Sequence, residues 1–160
     1  MPNNPTEERS RLPLVDAAQY LLDEARMVLP GIQALFGFQL IVVFSPGFAE
    51  KLTAGEQRLH LVAIALVALA IAFIMAPAAL HRRDPHEVTA TFIDISTRLL
   101  LSSMVPLAIS ISLECYLVGR VVVGFTAGVS LAIALLCTYL ALWFSLPRSQ
   151  RLQTVLRGRR

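Results

Sequence analysis

Four long apolar stretches dominate this chain and leave few folds open to it. They cover residues 28–44, 59–80, 99–118 and 121–146. A helix needs about 20 predominantly apolar residues to cross the hydrocarbon core of a bilayer. Backbone polar groups have no water to bind there, so segments of this length span the membrane as helices. The sequence therefore predicts an all-α fold, an integral membrane four-helix bundle.

The composition supports lipid as the main solvent of the chain. Hydrophobic residues make up 56% of the sequence and charged residues only 16%, far from the balance of a soluble domain. Cys115 and Cys137 fall in different spans, so they form neither a zinc spacing nor a disulfide framework. We expect both to pack as small hydrophobic residues, and we expect no cofactor and no metal. The N-terminus lacks the basic-then-apolar order and the small-residue cleavage site of a secretory signal. We therefore expect the first span to remain in the mature protein.

The segments outside the spans complete the predicted domain plan. Residues 1–12 are polar and contain prolines, which predicts a disordered tail. Residues 13–27 place apolar side chains on one helical face and acidic ones on the other, which predicts an amphipathic helix before the first span. The membrane domain then covers residues 13–147, and residues 148–160 form a basic tail. Asp84, Pro85 and Glu87 have the order of a helix start, so the third helix is predicted to extend beyond the membrane.

Basic residues are distributed unevenly between the two sides of the predicted bundle. The N-terminal segment, the loop between spans two and three, and the C-terminal tail hold eleven of the 14 Lys and Arg residues. The opposite loops hold Lys51, Arg58 and Arg120. The positive-inside rule then places both termini in the cytoplasm. No aromatic residues are interleaved with the basic ones, so we expect no nucleic-acid partner.

The third span carries a polar stripe that includes an acidic residue. Ser103, Pro106, Ser110 and Glu114 follow one another at intervals of three, four and four residues, which places them on one helical face. Ionisable residues inside a membrane are costly and usually have partners or a function. Two interpretations of Glu114 stay open.

In the first interpretation Glu114 is structural. Its carboxylate is hydrogen-bonded by Thr126, Ser130 or Tyr116, or it extends outward toward Arg120. In the second, Glu114 binds a proton or cation. The candidate path then consists of Glu114, Ser110 and Ser103 of the third span, Gln33 and Gln39 of the first span, and Glu24 of the amphipathic helix at its inner mouth. No nucleophile and base lie at one depth, so we expect no enzymatic activity.

Small residues predict close helix packing in the first and fourth spans. Gly124, Gly128 and Ala132 repeat every four residues, a spacing that lets two helix backbones approach. Gly37 shares a stripe with Gln33 in the first span. The pattern leaves open whether the neighbour is another helix of the same chain or a second copy. We expect the lipid bilayer as surroundings, with a homo-oligomer or a membrane partner.

Three segments carry a resemblance to a known family. They are EARMVLPGIQALFGFQL at residues 24–40, the run from Ala76 to Arg82, and the run from Trp143 to Pro147. From about Leu21 to Arg148 the chain resembles a bacterial family of small four-span membrane proteins of unknown function, some of whose members are labelled sodium:proton antiporter. The resemblance makes these the family-motif positions: Glu24, Arg26, Pro30, Gln33, Pro77, His81 and Arg82.

These observations favour a non-enzymatic membrane protein, an accessory or structural bundle that self-associates. Its alternative is translocation of a proton or monovalent cation through an oligomer that uses Glu114. A single copy of the chain has four spans and no visible inverted repeat of the kind that many transporters have. The accessory function is therefore the first prediction.

Overall fold

The structure, a computed structural model, describes residues 5–83 and 89–145, with side chains for residues 14–82 and 89–143. Within these residues the chain is helical and contains no strand. The helices are α1 (Pro5–Val43), α2 (Pro46–Lys51), α3 (Ala54–Arg83), α4 (Ala90–Val122) and α5 (Phe125–Leu140), followed by a π-helical turn at Ala141–Ser145. The predicted all-α class is confirmed.

Four of the helices are long and apolar enough to cross a membrane. The segments that meet this description are Leu14–Val43, Ala54–Arg82, Ala90–Val122 and Phe125–Trp143. The second and third cover the predicted stretches 59–80 and 99–118, and the first and fourth overlap the stretches 28–44 and 121–146. The chain is therefore a multi-pass membrane protein with the four long helices expected of a membrane four-helix bundle.

Helix α1 is longer and more continuous than predicted. It joins the amphipathic segment to the first span and passes through Pro30 and Gly31 without a break. Proline is tolerated inside membrane helices because local adjustments satisfy the freed backbone groups. The helix also includes residues 5–12, where a disordered tail was predicted, while residues 1–4 lie outside the described part. Ser45, followed by Pro46 at the first position of α2, separates α1 from α2.

The ends of α3 and α4 also differ from the predicted bounds. Helix α3 begins at Ala54 rather than at Leu59, so its first turns include polar residues. The predicted helix start at residues 84–87 lies outside the described residues, and the described part of α4 starts at Ala90. There the Thr89 hydroxyl accepts a hydrogen bond from the backbone N–H of Phe92 at 3.2 Å. The predicted spans 99–118 and 121–146 leave the turn between them at Gly119 and Arg120. Helix α4 instead continues to Val122, so the turn to α5 follows these two residues.

Buried side chains recur every seven residues along the three longest helices. These positions are Ala18, Ala25, Ile32 and Gln39 on α1, His60, Val67 and Ile74 on α3, and Ser96, Ser103, Ser110 and Leu117 on α4. A seven-residue interval keeps one face of a helix toward a packed neighbour. Ala68 and Ala72 of α3 lie off this face and are exposed.

By its internal packing the chain divides into two compact units. The first unit contains Met1–Ile41 and Val67–Pro106, and the second contains Val42–Leu66 and Leu107–Arg160. Within the first unit the ring centroids of His81 and Phe92 lie 5.9 Å apart. The second unit contains the start of α3, the end of α4 and all of α5, and with them the charged pairs described next. The prediction of one membrane domain over residues 13–147 stays a prediction.

Candidate functional site

A histidine and a glutamate form the centre of the candidate site in the second unit. The Nδ1 atom of His60 lies 2.9 Å from Oε1 and 3.1 Å from Oε2 of Glu114. The side chain of His60 is 2% exposed and that of Glu114 is 20% exposed. Both distances are within hydrogen-bonding range, and Nδ1 is the donor when the carboxylate is ionised, because an ionised carboxylate only accepts hydrogen bonds. The pair joins α3 to α4 across 54 positions of sequence.

A second charged pair joins the same two helices. The Nε atom of Arg120 lies 2.6 Å from Oε1 of Glu56, and an Arg120 NH1 group donates to the carbonyl oxygen of Lys51 at 3.1 Å. The guanidinium thus ties the end of α4 to the start of α3. Charge-assisted bonds of this kind are about twice as strong as neutral ones. Arg120, which the sequence offered as an outward partner for Glu114, is bound by Glu56 instead.

Glu56 is held in place by a capping box at the start of α3. The backbone N–H and the hydroxyl of Thr53 donate to Oε2 of Glu56 at 2.8 and 2.7 Å. The backbone N–H of Glu56 returns a bond of 3.4 Å to the Thr53 hydroxyl oxygen. This reciprocal pattern satisfies helix donors that have no partner within the helix itself. Both carboxylate oxygens of Glu56 are therefore occupied, one by the cap and one by Arg120.

Close backbone contacts set the position of α4 in this unit. The Ser110 hydroxyl donates to the carbonyl oxygen of Ala63 at 2.9 Å, which brings the middle of α4 against α3. On the other side of α4, Gly119 faces Gly128 of α5. A Cβ atom at Gly128 would lie 2.7 Å from the carbonyl oxygen of Tyr116 and 2.8 Å from the backbone nitrogen of Arg120. Only a residue without a side chain fits at this crossing.

A cavity of about 300 Å³ lies beside the histidine–glutamate pair in the second unit. Its polar lining includes His60, Glu114 and Lys51. Its apolar walls come from the end of α1, from α2 and from the last turns of α4, and include Val42, Phe48, Leu52, Leu117, Val118 and Val121. The Phe48 ring meets the His60 ring edge to face, with centroids 5.2 Å apart. The cavity is therefore a mainly apolar pocket with one acid–base pair in its wall.

The residues of the predicted ion path are placed in different surroundings. Ser110 bonds Ala63 as described, and Ser103 donates to the carbonyl oxygen of Leu100 on its own helix at 2.6 Å. Gln39 is 4% exposed, whereas Gln33 and Glu24 are exposed. Within the second unit the structure places Glu114 and Ser110 on one face of α4, as predicted. Ser103, Gln33, Gln39 and Glu24 belong to the first unit.

The predicted packing residues have different roles. Gly128 makes the close helix contact, with α4 of the same chain as its neighbour, and Ala132 is half-buried. Gly124 is not part of a helix stripe, because it forms the turn between α4 and α5 with a φ of 129°. Glycine is the residue that adopts this conformation without strain. A Cβ atom at Gly37 would meet nothing within 4 Å, so α1 has no close neighbour there among the described residues.

The family-motif positions lie mostly on exposed surface. Arg26 forms a 3.4 Å ion pair with Asp23, and both side chains are largely exposed. Glu24, Pro30, Gln33 and Arg82 are exposed, Pro77 is fully buried, and His81 packs beside Phe92. None of these residues belongs to the second unit.

Sequence reasoning missed three residues of the site: His60, Glu56 and Thr53. His60 stands at the start of the second span, and Glu114 stands near the end of the third, so consecutive antiparallel spans place them at the same side of the membrane. This signal was available. The proposed partners Thr126 and Ser130 are exposed on α5. The Tyr116 ring packs edge to face against Phe125, with centroids 6.4 Å apart.

Comparison with known proteins gives one match. A family model described as a family of unknown function (DUF6328) matches residues 15–147. No curated protein and no solved structure matches the chain. The matched range contains all four apolar helices and both charged pairs.

Proposed function

This chain belongs to the DUF6328 family of unknown function, and we propose that it is a non-enzymatic accessory or structural membrane protein that self-associates. It resides in the bacterial inner membrane with both termini in the cytoplasm. One observation carries the proposal. The two carboxylates that link α3 to α4 each have a basic partner in the same unit, His60 for Glu114 and Arg120 for Glu56.

Paired charges suit a structural role. Removing one member of a partly buried charge pair leaves an uncompensated charge, so the pairing favours the one register of the two helices in which both members meet. The Ser110 bond to the Ala63 carbonyl adds a third link of the same kind. Polar links between membrane helices hold a bundle together where hydrophobic burial gives no driving force.

Self-association is supported by the uncovered face of α1. Gln33 is exposed, and the space around Gly37, one helical turn further on the same stripe, is open. A side-chain amide facing hydrocarbon lacks partners, whereas two amides from two copies donate to and accept from each other. The open space at Gly37 lets a second backbone approach. We therefore place the contact between copies at the Gln33–Gly37 face of α1.

The first experiment measures proton and sodium flux in liposomes that contain the purified chain. We expect gradients that decay no faster than in empty liposomes, for the native chain and for Glu114→Gln alike. Glu50→Gln, on the exposed surface of α2, is the matched control. A native flux that Glu114→Gln abolishes while Glu50→Gln leaves it intact would overturn the structural proposal.

The second experiment counts subunits by stepwise photobleaching of labelled chains in lipid nanodiscs. We expect more than one copy for the native chain and a shift to single copies for Gln33→Leu. Gln19→Leu makes the same change on an exposed part of α1 before the apolar segment, and it should leave the count unchanged. A native chain with a single copy at all protein-to-lipid ratios would remove self-association from the proposal.

A third experiment tests whether the buried pair is structural. His60→Leu and Glu114→Leu should each lower the free energy of unfolding by about 1–3 kcal/mol, because each removes one side of the bond that links α3 to α4. The double variant should lower it by less than the sum of the two, since both single changes remove the same bond. Strictly additive losses would contradict a direct link between the two side chains.

Translocation of a proton or monovalent cation through an oligomer is the second candidate. It is favoured by the position of Glu114, whose side chain is 20% exposed and lines a cavity. A carboxylate next to an imidazole is also a common arrangement for proton transfer. The flux experiment separates the two candidates, because only this one requires ion movement that depends on Glu114.

A further inference from the structure

The cavity of the second unit has features of a binding site that the structural role does not need. We propose that it binds the head of a neutral, hydroxyl-bearing aromatic amphiphile, a phenolic molecule with an apolar tail. This inference goes beyond the proposed function and does not depend on it. Its three supports are the apolar walls, the buried acid–base pair and the charges at the lining.

The size and walls of the cavity define the body of the ligand. Its volume of about 300 Å³ is at the lower end of the range for small-molecule pockets, enough for a ring-sized head. Valine and leucine side chains from α1 and α4 supply most of the wall. Phe48, whose ring packs edge to face against that of the buried His60, adds an aromatic side chain to the wall and suits an aromatic head that packs against it.

The polar atoms of the cavity define the head group. His60 is 2% exposed and bonds Glu114, so its ring orients the carboxylate. A carboxylate with part of its surface toward the cavity accepts a hydrogen bond from a ligand that carries a donor. A phenolic hydroxyl is such a donor, and it has an oxygen that also accepts.

A neutral head group suits this lining. Glu114 and Lys51 both line the cavity and carry opposite charges, so an ionic head of either sign is attracted by one and repelled by the other. An ionic head also loses its hydration in a mainly apolar cavity, and that loss is costly. A neutral head avoids this desolvation cost.

The surface around the cavity defines the route of the tail. Val118 is 61% exposed and Val122 is 75% exposed, and both line the cavity. These side chains belong to an apolar helix, so their exposed surface continues from the cavity to the lipid-facing side of α4. An apolar tail of the ligand extends along this surface.

The test uses 4-decylphenol, its methyl ether 4-decylanisole, and decylbenzene. Full-length protein in nanodiscs is dialysed to equilibrium against each compound, and bound compound is quantified by mass spectrometry against empty nanodiscs of the same lipid. We expect saturable binding of 4-decylphenol, and binding of the ether and the hydrocarbon weaker by about tenfold, since one lost hydrogen bond to a charged group has that effect.

Two substitutions locate the site. Val118→Phe enlarges a wall residue without touching the acid–base pair, and it should weaken 4-decylphenol binding by about tenfold or more. Val62→Phe makes the same change at an exposed valine of α3 outside the cavity and should leave binding unchanged. Glu114→Gln should reduce the preference for the phenol over the ether, provided that its circular dichroism spectrum matches the native one.

Three outcomes would overturn the inference. Equal binding of the phenol and the ether would identify a cleft that accepts lipid tails without reading a head group. Binding no greater than in empty nanodiscs would show that the cavity takes no such ligand. Equal effects of Val118→Phe and Val62→Phe would place the binding elsewhere on the protein.

Discussion

The substitution Gly128→Ala should destabilise the chain, although alanine is the better helix former. A Cβ atom at this position would lie 2.7 Å from one backbone atom and 2.8 Å from another, both on α4. Ordinary van der Waals contact begins at 3.4 Å. Backbone atoms in the middle of a helix do not turn aside as a flexible side chain does, so α4 and α5 must move apart by more than half an ångström.

The size of the effect follows from two opposing terms. Overpacking of a rigid contact costs about 1–3 kcal/mol, and two backbone atoms place this case near the upper value. Replacing glycine by alanine inside a helix returns about 1 kcal/mol. We therefore expect the free energy of unfolding to fall by about 2 kcal/mol.

Gly31→Ala is the matched control, because it makes the same substitution within an apolar helix. A Cβ atom at Gly31 meets nothing within 4 Å, so only the helix-propensity gain of up to about 1 kcal/mol applies. The assay is unfolding in mixed micelles by an increasing mole fraction of dodecyl sulfate, followed by circular dichroism. The close crossing of α4 and α5 would be refuted if Gly128→Ala lowered the free energy of unfolding by less than about 0.5 kcal/mol, or if Gly31→Ala lowered it equally.

Three further predictions test other contacts. Ser110→Ala should lower the free energy of unfolding by about 0.6 kcal/mol, because it removes a hydrogen bond between two helices. Ser112→Ala should lower it less, because the Ser112 hydroxyl bonds the Ala108 carbonyl of its own helix. Equal losses would contradict the bond from Ser110 to α3. Glu56→Gln should lower the free energy of unfolding by about 1–3 kcal/mol, because a neutral amide is a weaker acceptor for Arg120 and Thr53 than a carboxylate. The control Glu50→Gln, on the exposed surface of α2, should leave the free energy of unfolding unchanged. Green fluorescent protein fused to either terminus should fluoresce, because both termini are predicted to be cytoplasmic; a dark fusion at one end would show an odd number of spans.

The class of the fold was predictable because it depends on long segments. Apolar runs of about 20 residues identify membrane helices almost regardless of detail. The ends of the helices were less predictable. The sequence placed a turn at Gly119 and Arg120, but α4 continues because Arg120 reaches back to Glu56 and Gly119 packs against Gly128. Both reasons are tertiary contacts, which local pattern does not contain.

The site was predictable in part, and the omissions have a physical cause. Glu114 stood out because an acid in an apolar run is rare. His60 was counted as part of an apolar run, since one polar residue near its start barely changes hydropathy. Ser110 was placed on the correct face of α4 by helical spacing. Its partner, the carbonyl oxygen of Ala63, belongs to a backbone group that every residue has, so no side-chain pattern identifies it.

The turn at Gly124 has a consequence for the order of folding. It joins α4 and α5 through two residues, and the helices meet at Gly119 and Gly128, only nine positions apart. The contact between His60 and Glu114 closes a loop of 54 positions. Loop closure costs more entropy as the loop lengthens, so local contacts form sooner. We therefore expect the last two long helices to assemble as a hairpin before α3 docks onto them.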